Sequence, residues 1–123
     1  MESKLIQILK ALADETRLRI LNLLQYSDLC VCELEFFLNI SQSNASKHLN
    51  KLTNTGILHY YKSAKYVYYQ LNMELIDEYP FIKQILSTES GKIAQYQKEH
   101  ERLTLYKEQG YTCDDLKTGN VCF

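Results

Sequence analysis

Leu5, Ile8, Leu9 and Leu12 fall at helical spacing and predict an amphipathic helix over residues 3–12. Asp14 stands where a short acceptor can cap the free backbone N–H groups of a second helix. That second helix carries Leu18, Ile20, Leu21, Leu23 and Leu24 and is apolar on most sides, as a core helix is. Tyr26-Ser27-Asp28 predicts a turn, and a short helix follows over about residues 30–38. Asn39-Ile40-Ser41 interrupts it, with Ser41 as the N-cap of the next helix over about 42–54. Ala45, Leu49 and Leu52 face inward on that helix, and Gly56 supplies the positive φ that a helix C-terminus needs.

After Gly56 the pattern changes from helical to extended. Residues 57–62 and 66–71 are rich in β-branched and aromatic side chains, and five of the ten residues from 60 to 69 are Tyr. Ser63-Ala64-Lys65 between them predicts a hairpin turn without a strong turn dipeptide. Val67, Tyr69 and Leu71 are expected on the half-buried face of the hairpin. Pro80 precedes a last long helix over about 81–107, striped by Phe81, Ile82, Ile85, Leu86, Ile93, Tyr96 and Leu103. Gly110 ends it, and a polar tail with Cys113 and Cys122 follows.

The expected fold is therefore mainly α with a small β-hairpin, a winged helix-turn-helix. Residues 1–108 form the DNA-binding and dimerisation domain and residues 109–123 the polar, cysteine-containing tail. The first and last helices are not needed to close the small core, yet both are amphipathic. A symmetric homodimer that buries them between chains accounts for both. At 123 residues with 46% apolar and 24% charged side chains, the chain has one domain's worth of core. Separate cofactor and substrate domains do not fit in it. Met1-Glu2-Ser3-Lys4 leads straight into a helical pattern, and no apolar run approaches the roughly 18 residues of a membrane span. The reading is a cytoplasmic protein with no membrane partner.

Charge sharpens this picture. The net charge is −1, but residues 36–73 contain Lys47, Lys51, Lys62 and Lys65 and no Asp or Glu, so a +4 segment sits on a remainder of −5. A local basic field of this kind suits a partner of double-stranded DNA. Residues 42–51 carry short hydrogen-bonding side chains suited to a major groove. Gln42, Ser43, Asn44, Ser46, Lys47 and His48 are the candidate DNA-facing positions on that helix. Lys47 and Lys51, four apart, are placed to reach phosphate, and Lys62 and Lys65 would do so from the wing, with Tyr66 beside them. Each phosphate neutralised adds about −0.9 to the log–log salt slope, so a dimer should bind DNA with strong salt sensitivity.

Cys30 and Cys32 open the short helix next to the reading helix. A helix N-terminus favours the thiolate, which binds soft metals and metalloids. Residues two apart on an ideal helix point about 200° from each other. Both sulfurs could then hold one ion only by distorting the first turn, and the distortion would reach the reading helix. The alternative is a pair of small buried hydrophobes. A thiol enzyme is disfavoured, because no Cys-x-x-Cys pair on a βαβ pattern and no phosphate-cradling glycine loop occurs.

Three segments together resemble the ArsR/SmtB family of metal-sensing repressors: the run from Lys10 to Leu24, the Asp28-Leu-Cys-Val-Cys-Glu-Leu34 box, and the run from Ser41 to Leu52. The resemblance implies a homodimeric winged-helix repressor of a metal(loid)-resistance operon that binds operator DNA without a cofactor and leaves when metal binds. Cys30 and Cys32 match its Cys-Val-Cys metal box. Arsenite- and antimonite-sensing members commonly place a third cysteine where this chain has Glu35. Cys113 and Cys122 resemble the C-terminal pair of some arsenic-sensing members and are candidates for the third sulfur, in cis or in trans. The resemblance thus implies As(III) or Sb(III) as inducer. The alternatives are Cd(II) or Pb(II), or a thiol-redox signal. Cadmium/lead sensors add cysteines before the box, and none precedes Cys30 here. His100 is the sole histidine of the last helix, so the Asp/His site of the zinc and nickel sensors is not expected.

Overall fold

The computed structural model describes residues 3–119 and 121–122. Met1 and Glu2 of the opening segment, and Asn120 and Phe123 of the tail, lie outside the described residues. Helix α1 (Lys4–Leu12) starts at Ser3, whose hydroxyl accepts from the Ile6 N–H. Helix α2 (Glu15–Leu24) starts at Asp14, whose carboxylate accepts from the Arg17 N–H at 3.0 Å. Helices α3 (Val31–Leu38) and α4 (Gln42–Thr55) form the helix-turn-helix, with Asn39 in the left-handed region between them. Ser41 caps α4 and Gly56, at φ 94°, ends it.

Strands β2 (Leu58–Ser63) and β3 (Tyr66–Leu71) pair antiparallel from Leu58↔Leu71 to Ser63↔Tyr66, with Ala64 at positive φ in the turn. The sequence pattern missed a third strand. Residues Leu29–Cys30 form β1, which pairs with β3 at Leu29↔Tyr69 and Cys30↔Tyr68. Two residues are too few to show an alternation. Tyr69 and Leu71 are half-buried as expected, but Val67 is 37% exposed because it lies near the hairpin tip, beyond the core.

The expected helix over 81–107 is broken. After α5 (Met73–Glu78) and α6 (Phe81–Gln84), residues Ile85–Glu89 form a π turn and Ser90–Lys92 a 3₁₀ turn. Ile93 is extended before α7 (Ala94–Glu108) starts. The break falls on Ser87-Thr-Glu-Ser-Gly91, where every residue but Glu89 is a weak helix former, and the Ser87 hydroxyl donates back to the Lys83 carbonyl. Beyond Gly110 the tail is not merely polar coil: residues Cys113–Thr118 form α8, which packs on α3.

One core spans the helices and the sheet, built on Ile8, Ile20, Leu21, Leu34, Leu49, Leu52, Ile57 and Tyr106. Ala45, Leu49 and Leu52 are fully buried, as their spacing predicts. Leu5, Ile6 and Leu9 of α1, with Ile93 and Leu105, remain more than 40% exposed and give the outer helices an apolar face. No described helix is long and apolar enough to cross a membrane.

Two buried polar networks hold α3 and α4 in place. The Glu33 carboxylate, 2% exposed, accepts from the Cys30 N–H at 3.0 Å and from the Tyr106 O–H at 2.5 Å. Burial, and then the Glu33 contact, push the Tyr106 phenol far above its usual range. In the second network Arg17 donates to the Ala11 carbonyl at 2.6 Å and faces His48 Nδ1 at 3.2 Å. His48 Nδ1 also lies 3.9 Å from Asp14. Burial lowers the His48 pKa, the Asp14 carboxylate opposes this, and Arg17 and Lys47 add to it.

Glu33→Ala removes a charged acceptor from two buried donors and should cost about 2–3 kcal/mol in urea unfolding. A loss below about 1 kcal/mol would show that the network is not holding α3 to α7. Because folding lowers the His48 pKa, the unfolded chain binds the proton more readily. The His48 contribution is therefore complete above the ordinary value of 6.5 and is lost as the pH falls from there through the folded pKa. Urea midpoints measured between neutral and mildly acidic pH should fall more steeply for wild type than for His48→Gln. Equal slopes would contradict the assignment.

Candidate metal centre and nucleic-acid interface

Three sulfurs converge where α3 begins. Cys30 Sγ lies 3.1 Å from Cys32 Sγ and 2.9 Å from Cys113 Sγ. Cys32 and Cys113 bring their sulfurs into contact, with Cα atoms 6.4 Å apart, a spacing that also permits a disulfide. The three ligand atoms lie within 4.8 Å of one another, and the described residues add no fourth donor to the group. Within the chain, Cys113 reaches the Cys-Val-Cys box. Cys122 stands apart: it is exposed, and its N–H donates to the Tyr111 hydroxyl at 3.2 Å.

The expectation that the two box cysteines point apart rested on both being inside a helix. Cys30 is instead the N-cap of α3 with extended φ and ψ of −87° and 169°, paired into the sheet. Leaving the helix at this residue turns its side chain toward Cys32. The sulfurs therefore meet without unwinding any helical turn. The expected low thiol pKa at a helix N-terminus is also reversed for Cys30. Burial pushes it up to about 11, and the N–H groups of the first turn do not offset the loss of water. Cys30 and Cys113 are buried while Cys32 is half-buried. Cys32 borders a cleft of about 320 Å³ lined in part by Cys30, Glu35, Gln42, Lys65 and Lys117. Glu35, at the position of the missing third cysteine, lines the cleft without joining the sulfurs.

On α4, Gln42, Ser43, Lys47 and Lys51 are exposed, and Asn44 and Ser46 are half-exposed. They present a polar, cationic face free of carboxylates. His48 departs from its expected place among them. It is 6% exposed and turned to Arg17 and Asp14, because its position on the helix points it at the start of α2. Lys62 and Lys65 are exposed on the wing, but Lys65 is not free: its ammonium lies 3.1 Å from Asp114. The Tyr66 hydroxyl also donates to Asp114.

The sequence reading missed Glu33, Tyr106, Arg17 and Asp114. Glu33 had a usable signal, since an acid three residues after a helix start completes a capping box. Asp114 had none, because its partner lies 48 positions away in sequence.

A family model described as bacterial regulatory protein, arsR family, matches residues 14–60. The arsenic resistance transcriptional regulator ArsR2 of Pseudomonas putida is 45% identical over 69 residues, covering 55% of this chain and 60% of that protein. A cadmium resistance regulatory protein CadC homolog of Staphylococcus aureus is 40% identical over 73 residues, 58% of this chain and 60% of that protein. The arsenical resistance operon repressor of Staphylococcus xylosus is 30% identical over 116 residues, 94% of each chain. The match spans 54–60% of the length of the first four curated relatives. Among solved structures, the homodimeric winged helix-turn-helix DNA-binding domain of Mb0332 from Mycobacterium bovis superposes with a TM-score of 0.61. It has 24% identity and covers 70% of this chain and 80% of that one, a likeness of fold. The fold, with its recognition helix and hairpin, and a relative aligned almost end to end lead to one conclusion: this chain belongs to the ArsR family of bacterial transcriptional regulators, a family of regulators rather than enzymes.

Proposed function

We propose that the chain is a cytoplasmic, homodimeric repressor of a metal(loid)-resistance operon, released from operator DNA when arsenite or antimonite binds Cys30, Cys32 and Cys113. The observation that carries this reading is the three-sulfur cluster at the start of α3, the helix that immediately precedes the DNA-facing one. Trivalent arsenic and antimony take three thiolates in a pyramid with a lone pair at the apex, so a buried three-sulfur group is complete for them. Zinc prefers four ligands. Cadmium binds thiolates as well, and relatives named for arsenic and for cadmium resistance both occur.

With Cys32 and Cys113 reduced by a cellular thiol, which is itself oxidised to its disulfide, the exchange needs no further redox partner. Arsenous acid and three thiols form three As–S bonds as three As–O bonds break, and the thiol protons leave in three waters. Gln42, Ser43, Asn44, Ser46, Lys47 and Lys51 face DNA in this reading, with Lys62 and Lys65 on the wing. His48 supports the helix from behind. The apolar faces of α1 and α7 meet their copies in the partner subunit.

One observation favours a second reading, a thiol-redox regulator. The Cys32 and Cys113 Cα atoms, 6.4 Å apart, suit a disulfide. A peroxide would take two electrons and two protons from the two thiols, leaving a disulfide and two waters.

Fluorescence anisotropy on DNA from upstream of the protein's own gene tests both readings. Arsenite should weaken operator binding of the reduced wild type by about 10–100-fold, the usual span of allosteric coupling. Cys30→Ser, Cys32→Ser and Cys113→Ser should each abolish most of that effect, and Cys122→Ser should not. Release by cadmium alone would overturn the metalloid assignment, and release by peroxide alone would favour the redox reading. Absence of specific DNA binding would overturn both.

A further inference from the structure

The metal centre and the wing are joined by one short helix, α8. Its first residue, Cys113, supplies a sulfur to the cluster, and its second, Asp114, reaches the wing tip. The Asp114 carboxylate takes the Lys65 ammonium at 3.1 Å and the Tyr66 hydroxyl. One turn further, the Lys117 ammonium stands 4.8 Å from the centre of the Tyr66 ring. The other end of the same connection is also tied to the cluster, because Cys30 pairs with Tyr68 on the strand that carries Tyr66. Lys65 and Tyr66 stand at the wing tip, where contact with the DNA backbone is expected.

We propose that α8 is a ligand-set latch on the wing: bridging of the three sulfurs fixes α8, and Asp114 then holds Lys65 and Tyr66 in place of a DNA phosphate. This rests on the metalloid reading above.

Magnitudes explain why the tether is needed. The Asp114–Lys65 pair is exposed on both sides, 62% and 68%. Such a pair favours its closed state by a factor of at most about five, and salt weakens it. A free carboxylate of that strength loses Lys65 to a polyanion. A carboxylate covalently next to a sulfur that is locked into the cluster acts at a high effective concentration instead. The same pair then competes with phosphate. Two of the three sulfurs are buried, and none lies on the exposed faces of α4 or the wing. Asp114 carries the state of the cluster to the wing.

The test uses the full-length reduced chain, sodium arsenite, and the variants Asp114→Asn and Asp114→Glu. Asp114 touches none of the DNA-facing helix but does pair with Lys65, so without arsenite Asp114→Asn should bind the operator at most about fivefold more tightly than wild type, and Asp114→Glu should match wild type. All three should bind one arsenite per chain. With arsenite bound, Asp114→Asn should gain a further roughly 3–10-fold in operator affinity over wild type beyond any difference seen without arsenite, because two latches per dimer are removed, and Asp114→Glu should behave as wild type.

The salt dependence gives an independent readout. Arsenite should flatten the wild-type log–log slope by about 1.8, from two withdrawn lysines, and leave the Asp114→Asn slope nearly unchanged. If Asp114→Asn is released like wild type with the same slope change, the latch is wrong while the metalloid reading stands. If Asp114→Asn no longer binds arsenite, the latch is wrong too, because Asp114 would then build the site rather than transmit its state. If wild type is not released by arsenite at all, the metalloid reading and the latch fall together.

Discussion

The buried carboxylate of Glu33 is the constraint on which the three-cysteine end of the molecule depends. One oxygen accepts the Cys30 N–H, which fixes where α3 begins, and the other accepts the Tyr106 hydroxyl, which fixes where α7 lies against it. Both bonds are out of water, so each lost partner would leave a buried polar group unsatisfied. With α7 placed, the chain turns at Gly110 and returns as α8, and Cys113 arrives at the two sulfurs of α3. A residue outside the cluster thus determines where its third sulfur lies.

The same geometry changes how a signal can leave the cluster. If Cys30 were helical, ligand binding would have to unwind the first turn of α3. As an extended N-cap it already presents its sulfur to Cys32, so gathering the sulfurs costs α3 nothing. The route outward then runs through the elements the sulfurs tie together: β3, which pairs with Cys30, and α8, which begins at Cys113. Both lead to the wing. The recognition helix is held separately, by Arg17 and His48 against the start of α2.

Much of this was legible in the residues. The four helices from Lys4 to Thr55 follow from leucine spacing and from Asp14 and Ser41, whose side chains make the capping bonds that their positions predict; the Ser3 cap was not read from the sequence. The hairpin follows from its tyrosines and Val67. Two strand residues at Leu29–Cys30 were invisible, because a pairing that short leaves no periodicity and is imposed by its partner β3. The break around Gly91 was masked by Ile85, Leu86 and Ile93, which keep an apolar stripe going through a segment whose backbone leaves the α-helix. His48 read as one more polar residue on a reading face, and only the placement of Arg17 shows that it turns inward. The Cys-Val-Cys pair was legible as chemistry. Its third partner was not, because the choice between Cys113 and Cys122, and between one chain and two, depends on how the tail folds back.

X-ray absorption at the arsenic edge of the arsenite-loaded, full-length protein tests the central claim most directly, since it counts the sulfurs around the metalloid. The account predicts three sulfur neighbours and no oxygen in wild type and in Cys122→Ser, with one sulfur replaced by a light atom in Cys113→Ser. Three sulfurs retained in Cys113→Ser, or fewer than three in wild type, would contradict it.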